Sequence, residues 1–428
     1  MTESTWPLAT SGDAGIERRT FVDRFDRNAA IGLALAALAL AIYWLCNRYF
    51  DATRGDFFYL ADAFLHGRVW LDVRLGYQDV ILDGDRIFVP FAPFPAIALM
   101  PIVAVFGPSI ADQWETGINA ALAASVVGLA WWFCARANVR SLVDRFFLVA
   151  LLGFSTQIWW VTTRGGVWHT GHLIATILTL GCLIELWGSR RAWLVGLLAG
   201  AAFLTRVPLA FAIPFYALLL AGDRLWSPRD WPWRSWIELA LGVLPSIAFF
   251  FFYNAARFGN PLESGYGLAL LPPFLEEIRR EHGLFSTTYL GMNIDYLFLK
   301  VPRRIGEFPF FQPDGLGMSI FITSPGLLYA VRAPWRRSQA WWLLLAAIVV
   351  LIPTLLYYGG GWLQYGYRYA LDSIPFVWAL CVLAAARDED LRAMAGLRGA
   401  GMGLGWRLLI VLGVIVMLGG VYWAYNLH

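Results

Sequence analysis

Residues 50–68 read FDATRGDFFYLADAFLHGR and set three carboxylates, Asp51, Asp56 and Asp62, beside Arg54, His66 and Arg68. A positioned carboxylate can take the proton from a hydroxyl as that hydroxyl attacks. These three follow directly on an apolar run long enough to cross a bilayer, so any such chemistry would sit at headgroup height. Local readings compete. Asp56 stands at a helix start, where it could serve as a cap, and Asp62 falls mid-helix, where it could face water. Further on, YQDVILDGDRIF (77–88) adds Asp79, Asp83 and Asp85. Asp83-Gly84 is a hairpin-turn signal between short apolar strands, with a divalent cation on the DGD oxygens as the alternative.

Histidines and arginines come later. His169 and His172, in TTRGGVWHTGHL (162–173), are three apart and share one helix face. That spacing suits a metal, a hydrogen bond to an anionic headgroup, or packing beside Trp168. No carboxylate or cysteine stands near enough in sequence to favour the metal. Arg206, in LTRVP, lies at the junction of two apolar runs of about fifteen residues each. A charge at such a boundary is a functional candidate. Arg368 follows a Gly-Gly-Gly run and stands among five tyrosines in YYGGGWLQYGYRYALDSIPF (357–376). Its fork suits phosphate oxygens bidentately, and snorkelling from an aromatic belt is the alternative.

The elements that must position these residues are mostly membrane helices. The 428-residue chain is 59% hydrophobic and only 15% charged, with a mean hydropathy of +0.57, which excludes an ordinary soluble domain. Its 22 Trp and 17 Tyr fit interfacial belts, and a net charge of +3 leaves no nucleic-acid footprint. Cys46, Cys134, Cys182 and Cys381 all lie in apolar runs, as buried small hydrophobes do. The polar stretch 1–27 carries Arg18, Arg19, Arg24 and Arg27 and reads as a cytoplasmic tail before a retained first helix.

Apolar runs fall near 28–50, 114–135, 146–163, 167–187, 192–206, 208–222, 236–256, 318–331, 340–358, 373–386 and 407–425. The stretch 92–107 is apolar but short for a crossing. Laying it along the outer interface puts Arg136, Arg140 and Arg145, Arg190 and Arg191, and every later basic loop on the cytoplasmic side. The expectation is an all-α polytopic membrane protein with eleven crossings and interfacial juxtamembrane helices in the first outer loop. Residues 28–428 form one transmembrane domain, with outer loops 51–113 and 257–317. Apolar spacing at Phe57, Leu60, Ala61, Phe64 and Leu65 predicts an amphipathic helix ended by Gly67.

The order of parts carries a resemblance. It runs from the acidic loop with D…YLADAFLHGR to VPFAPFPAIALMP, then LAGAAFLTRVPLAFAIPF, FFYNAARFGNPLESGYG and GWLQYGYRYALDSIPF. This resembles the bacterial branch of the GT-C glycosyltransferases, the superfamily of protein O-mannosyltransferases and the lipid A aminoarabinose transferase. The resemblance implies transfer of a sugar from a polyprenyl-phosphate donor to a lipid, glycan or protein acceptor, usually with inversion, at the outer face of the inner membrane. It implies a carboxylate base just after the first helix and cations near the membrane that hold the lipid phosphate. The family's Asp-Glu marker is missing, and its place falls near Thr53–Arg54, between Asp51 and Asp56. Asp56, which opens the helix, is the expected base, with Asp51 second. By the same resemblance Asp62 and Asp79 would bind sugar or acceptor. Arg206 and Arg368, with His169 or His172, would hold the phosphate. Glu263 and Tyr266, in NPLESGYG, would shape the acceptor groove, with a turn and a solvated Glu as the alternative. No cofactor is implied outright, and a divalent cation stays open. The competing readings are a carrier for lipid-linked sugar or polysaccharide without chemistry, and a scaffold of the cell envelope.

Overall fold

The computed structural model describes residues 11–47, 55–72, 79–361, 363–397 and 399–426. Asp51 and Arg54 lie outside the described residues. A chain this apolar must satisfy its backbone polar groups within each segment, and the helix does so. α1 (Ser11–Cys46) takes in much of the polar stretch expected as a tail. After it come a juxtamembrane group, α2 (Asp56–Leu65), α3 (Phe94–Phe106) and α4 (Pro108–Gln113), and then α5 (Glu115–Arg136). α6 (Leu142–Phe154) and α7 (Gln157–Thr163) form a pair bent by 47°. The bend falls at Ser155–Thr156. Thr156 Oγ1 donates to the Leu152 carbonyl and accepts from the Ile158 amide, which closes one helix and caps the next.

α8 (Val167–Leu186) is followed by α9 (Ala192–Phe203), a 3-10 helix over Val207–Ala212, and α10 (Ile213–Ala221). Next are α11 (Trp233–Phe258), α12 (Pro273–His282), α13 (Leu290–Ile294) and α14 (Ile320–Thr323), which leads into a 3-10 helix over Pro325–Arg332. α15 (Ser338–Leu355), α16 (Ile374–Met394) and α17 (Leu404–Asn426) complete the chain. Among the described residues six helices are long and apolar enough to cross a membrane, and seven if the bent pair is one span. The eleven expected runs thus include shorter pieces. Run 192–206 is the 12-residue α9, about 18 Å long, and run 318–331 is α14 plus a 3-10 helix. Prolines 208, 214 and 325 mark these breaks, because each lacks an amide and fixes its φ.

Small residues let α9 and α11 touch backbone to backbone. A Cβ on Gly196 would lie 2.1 Å from the Leu239 carbonyl, and one on Gly242 would lie 2.2 Å from that of Trp193. The predicted amphipathic helix is α2. Phe57, Leu60 and Ala61 pack with Ala96, Leu99 and Val103 of α3 in one apolar cluster. α3, with 13 residues, reaches about 20 Å, short of the bilayer core of about 30 Å. The hairpin at Asp83-Gly84 is present as β1 (Ile81–Asp83) paired antiparallel with β2 (Arg86–Phe88), and Gly84 has the positive φ its turn requires. A second, two-residue pairing joins β3 (Arg303–Arg304) to β4 (Phe311–Gln312).

α5, α8 and α16 begin at one end of the bundle, and α15 runs the other way to finish there. At the opposite end a belt of ion pairs joins Arg140 to Asp390, Arg191 to Glu185, Arg332 to Asp388 and Arg407 to Asp144.

Candidate active site

α2 starts at Gly55, whose backbone is the N-cap without any side-chain capping bond. Asp56 is therefore the first helical residue and not the cap, which corrects the capping alternative. Its side chain is fully buried. Gly55 is glycine for a steric reason. A Cβ there would lie 2.2 Å from Asp112 Oδ1, because the Asp112 carboxylate from α4 packs onto this backbone. Burial pushes the Asp112 carboxyl up to about 6, and the Gly55 backbone hydrogen bond opposes that rise only in part.

Next to Asp112, Glu115 opens α5 and is 1% exposed. It accepts from the Gly166 amide at 2.6 Å and from Thr170 Oγ1 at 2.9 Å, so it holds the start of α8. Asn47, at the end of α1, donates to the carbonyls of Thr116 and Thr162. These polar bonds lock the ends of four helices together around the site.

The cationic half lies on α8, on the α9 turn and on the segment before α16. Asp372 joins them. It accepts from Arg206 Nε at 3.1 Å and Nη2 at 2.9 Å, and meets His172 Nδ1 at 3.1 Å. Burial would raise the Asp372 carboxyl, but Arg206 and His172 hold it down at about 2. The Arg206 and Arg368 guanidiniums both lie over the Tyr369 ring, 5.5 and 5.1 Å from its centroid. Arg368 is 6% exposed and lies within charge–charge range of His169, as does Arg164. His169 itself is anchored by its Nδ1 on the Gly165 carbonyl at 2.9 Å. Three guanidiniums thus gather here with Asp372 as the carboxylate bonded to one of them.

Gly171 brings the two halves together. A Cβ at that position would touch both Arg206 Cδ and the Phe57 ring, each at 4.0 Å. Phe57 is the residue next to Asp56. The Phe57 ring of α2 and the Arg206 side chain therefore approach the same turn of α8. Tyr266 also belongs here. Burial pushes its hydroxyl up against the opposing pull of Arg206, and its ring meets Phe91, which in turn meets Phe57.

Asp79 accepts from the Trp168 indole at 3.2 Å, which places it beside the start of α8. Glu263 instead accepts from the Gly265 amide within its own turn at 2.7 Å. Asp62 faces His66 at 3.5 Å and Arg68 at 3.7 Å on the half-exposed side of α2. Asp83 and Asp85 are exposed in the hairpin turn, and among the described residues no three His, Cys, Asp or Glu side chains converge as a metal-ligand set. Three residues of this end went unnoticed in the sequence: Asp112, Glu115 and Asp372. ADQWETGIN (111–119) puts two carboxylates at the mouth of an apolar run, which is a readable signal. Asp372 lies four residues after Arg368 in a stretch already singled out.

No protein family matches the sequence, and no curated protein does. Among solved structures the fold is similar to the crystal structure of the Archaeoglobus fulgidus oligosaccharyltransferase in the apo form. That match has 13% sequence identity and a TM-score of 0.42, and it covers 92% of this chain. The chain spans about half the length of that protein, 55%.

Proposed function

We propose that this chain is a membrane glycosyltransferase of the GT-C kind. It moves a sugar from a polyprenyl-phosphate donor to an acceptor hydroxyl at the outer face of the membrane. The observation that carries the reading is the seat of Asp56. A fully buried carboxylate stands one residue from Phe57, whose ring meets the same turn of α8 as Arg206. Donor phosphate and acceptor hydroxyl would have to meet between such groups.

In this mechanism Asp56 accepts the acceptor's proton as its oxygen bonds to the sugar C1. The C1–O bond to phosphate breaks on the opposite side, so the configuration inverts. Polyprenyl phosphate leaves with the electron pair, and Arg368 and Arg206 meet its charge. Fixed cations in a water-poor site cost no reorganisation at that moment. Asp372 spends Nε and Nη2 of Arg206, which fixes the fork and leaves Nη1 to reach the phosphate. Tyr266 and Asp79 line the approach for sugar and acceptor. The arginine-rich loops at the far end of the bundle support an orientation with that end in the cytoplasm. The short apolar pieces then complete eleven passes within one unit spanning 28–428.

The test is transfer by purified protein in nanodiscs, offered a panel of polyprenyl-phosphate sugars with simple acceptors. Asp56→Asn should lower turnover by at least about 10²-fold while donor-lipid binding persists. Loss in Asp51→Asn with full activity in Asp56→Asn would move the base to Asp51. Tight donor binding with no new glycosidic bond from any donor would favour the carrier reading.

A further inference from the structure

The end of the bundle opposite the candidate site holds a cavity of about 1080 Å³. α5, with 22 residues, and α8, with 20, run from the site to it, so about 30 Å separates the two. Arg136, Arg190, Arg336, Arg337 and Arg387 line it, against Asp390 as its acidic residue. Asp390 is already bound by Arg140.

The contrast with the neighbouring belt is sharp. Arg140, Arg191, Arg332 and Arg407 each pair with a carboxylate. Among the described residues none of the five cavity arginines does. Backbone carbonyls position two of them and leave their charge intact. Arg190 Nη2 donates to the carbonyls of Leu219 and Leu220 at 3.0 and 2.8 Å, and Arg387 Nη1 to that of Arg332 at 2.9 Å. Arg224 shares the Leu220 carbonyl at 3.0 Å, so two like charges are held side by side. Gly188 clears room for a third. A Cβ there would lie 3.4 Å from the Arg136 guanidinium carbon.

Arginine at the last turn of a helix is ordinary, which would account for Arg136. It does not account for Arg336 and Arg337. These precede the first turn of α15, where free N–H groups disfavour a cation. The floor beneath the arginines is apolar and buried, made by Ala137, Leu186, Leu219 and Leu383. A cationic rim over an apolar floor at the end of membrane helices is complementary to a phosphate-bearing anion, and guanidinium forks match its oxygens bidentately.

We propose that this cavity is a second binding site, for a phosphate-bearing anion, distinct from the candidate active site. The same chemistry can come from the headgroup of an anionic phospholipid or from a soluble polyphosphate. The apolar floor fits the glycerol end of a lipid.

The experiment reads thermal stability of the full chain in neutral detergent. Phosphatidylglycerol, phosphatidylcholine and inorganic pyrophosphate are titrated separately into wild type, Arg336→Ala/Arg337→Ala, Arg136→Gln and a control, Arg303→Ala/Arg304→Ala. All the substituted arginines are exposed, and among the described residues none of them pairs with a carboxylate. Stabilisation by phosphatidylglycerol and not phosphatidylcholine, weakened roughly tenfold in apparent affinity in the two cavity variants alone, supports the site with a lipid source. The same pattern with pyrophosphate and not phosphatidylglycerol supports it with a soluble source. Responses equal in wild type and both cavity variants, or weakened as much in the control, overturn it. Because binding and not turnover is read, the outcome is independent of the proposed activity.

Discussion

Arg206 and Asp372 need each other. The carboxylate is almost wholly buried and the guanidinium largely so, and removing one partner of such a pair leaves an uncompensated charge. Asp372→Asn should therefore destabilise the fold by about 3–5 kcal/mol, read as a lowered melting temperature in detergent. Asp112 shows the opposite electrostatics. Its carboxyl titrates near 6 in the fold against about 3.9 in an open chain, so the folded state binds the extra proton between those values. Stability should fall as pH rises from about 4 to about 6, and Asp112→Asn should flatten that slope in melting curves taken across the window. Asp56, Arg206, Arg368 and both histidines, singled out in the sequence, lie at this same end of the bundle. Sequence reasoning did not find Asp372 or Glu115, because a carboxylate's value here depends on which helix end it faces 200 or 51 residues away.

Elements were legible wherever apolar length alone decides. The amphipathic α2, the hairpin at Asp83-Gly84 and the long spans fall within a few residues of where the pattern places them, whereas α1 begins at Ser11, inside the stretch read as a tail. Broken segments were not, since an apolar run has the same composition whether it is one helix or α14 followed by a 3-10 helix. The glycine contact between α9 and α11 was equally silent, although Gly196-Leu-Leu-Ala-Gly200 has the spacing that permits it. Gly196→Val would drive a side chain into the Leu239 carbonyl and should cost about 1–3 kcal/mol or more. Gly405→Ala, on α17 with nothing within 4 Å, should leave the melting temperature unchanged or slightly raised. Comparing the two variants separates helix–helix contact from a general intolerance of bulk.

Across the whole molecule, polar groups collect at the two ends and the middle is packed apolar side chains. One end holds the buried Asp56 and the Arg206–Asp372–His172 cluster. The other combines an ion-pair belt with unpaired arginines.

A consequence follows from the direction of three helices. α5, α8 and α16 all begin at the candidate site, at Glu115, Val167 and Ile374. Each helix start carries the equivalent of about half a positive charge, and the slab between the ends screens that field poorly. An anion at the site is therefore attracted by the architecture as well as by side chains. Arg368→Ala should weaken donor-lipid binding without abolishing it, and the residual affinity should fall as salt is raised, which a titration at several ionic strengths would measure. The pull on an anion there is built into the winding of the backbone, which no single substitution removes.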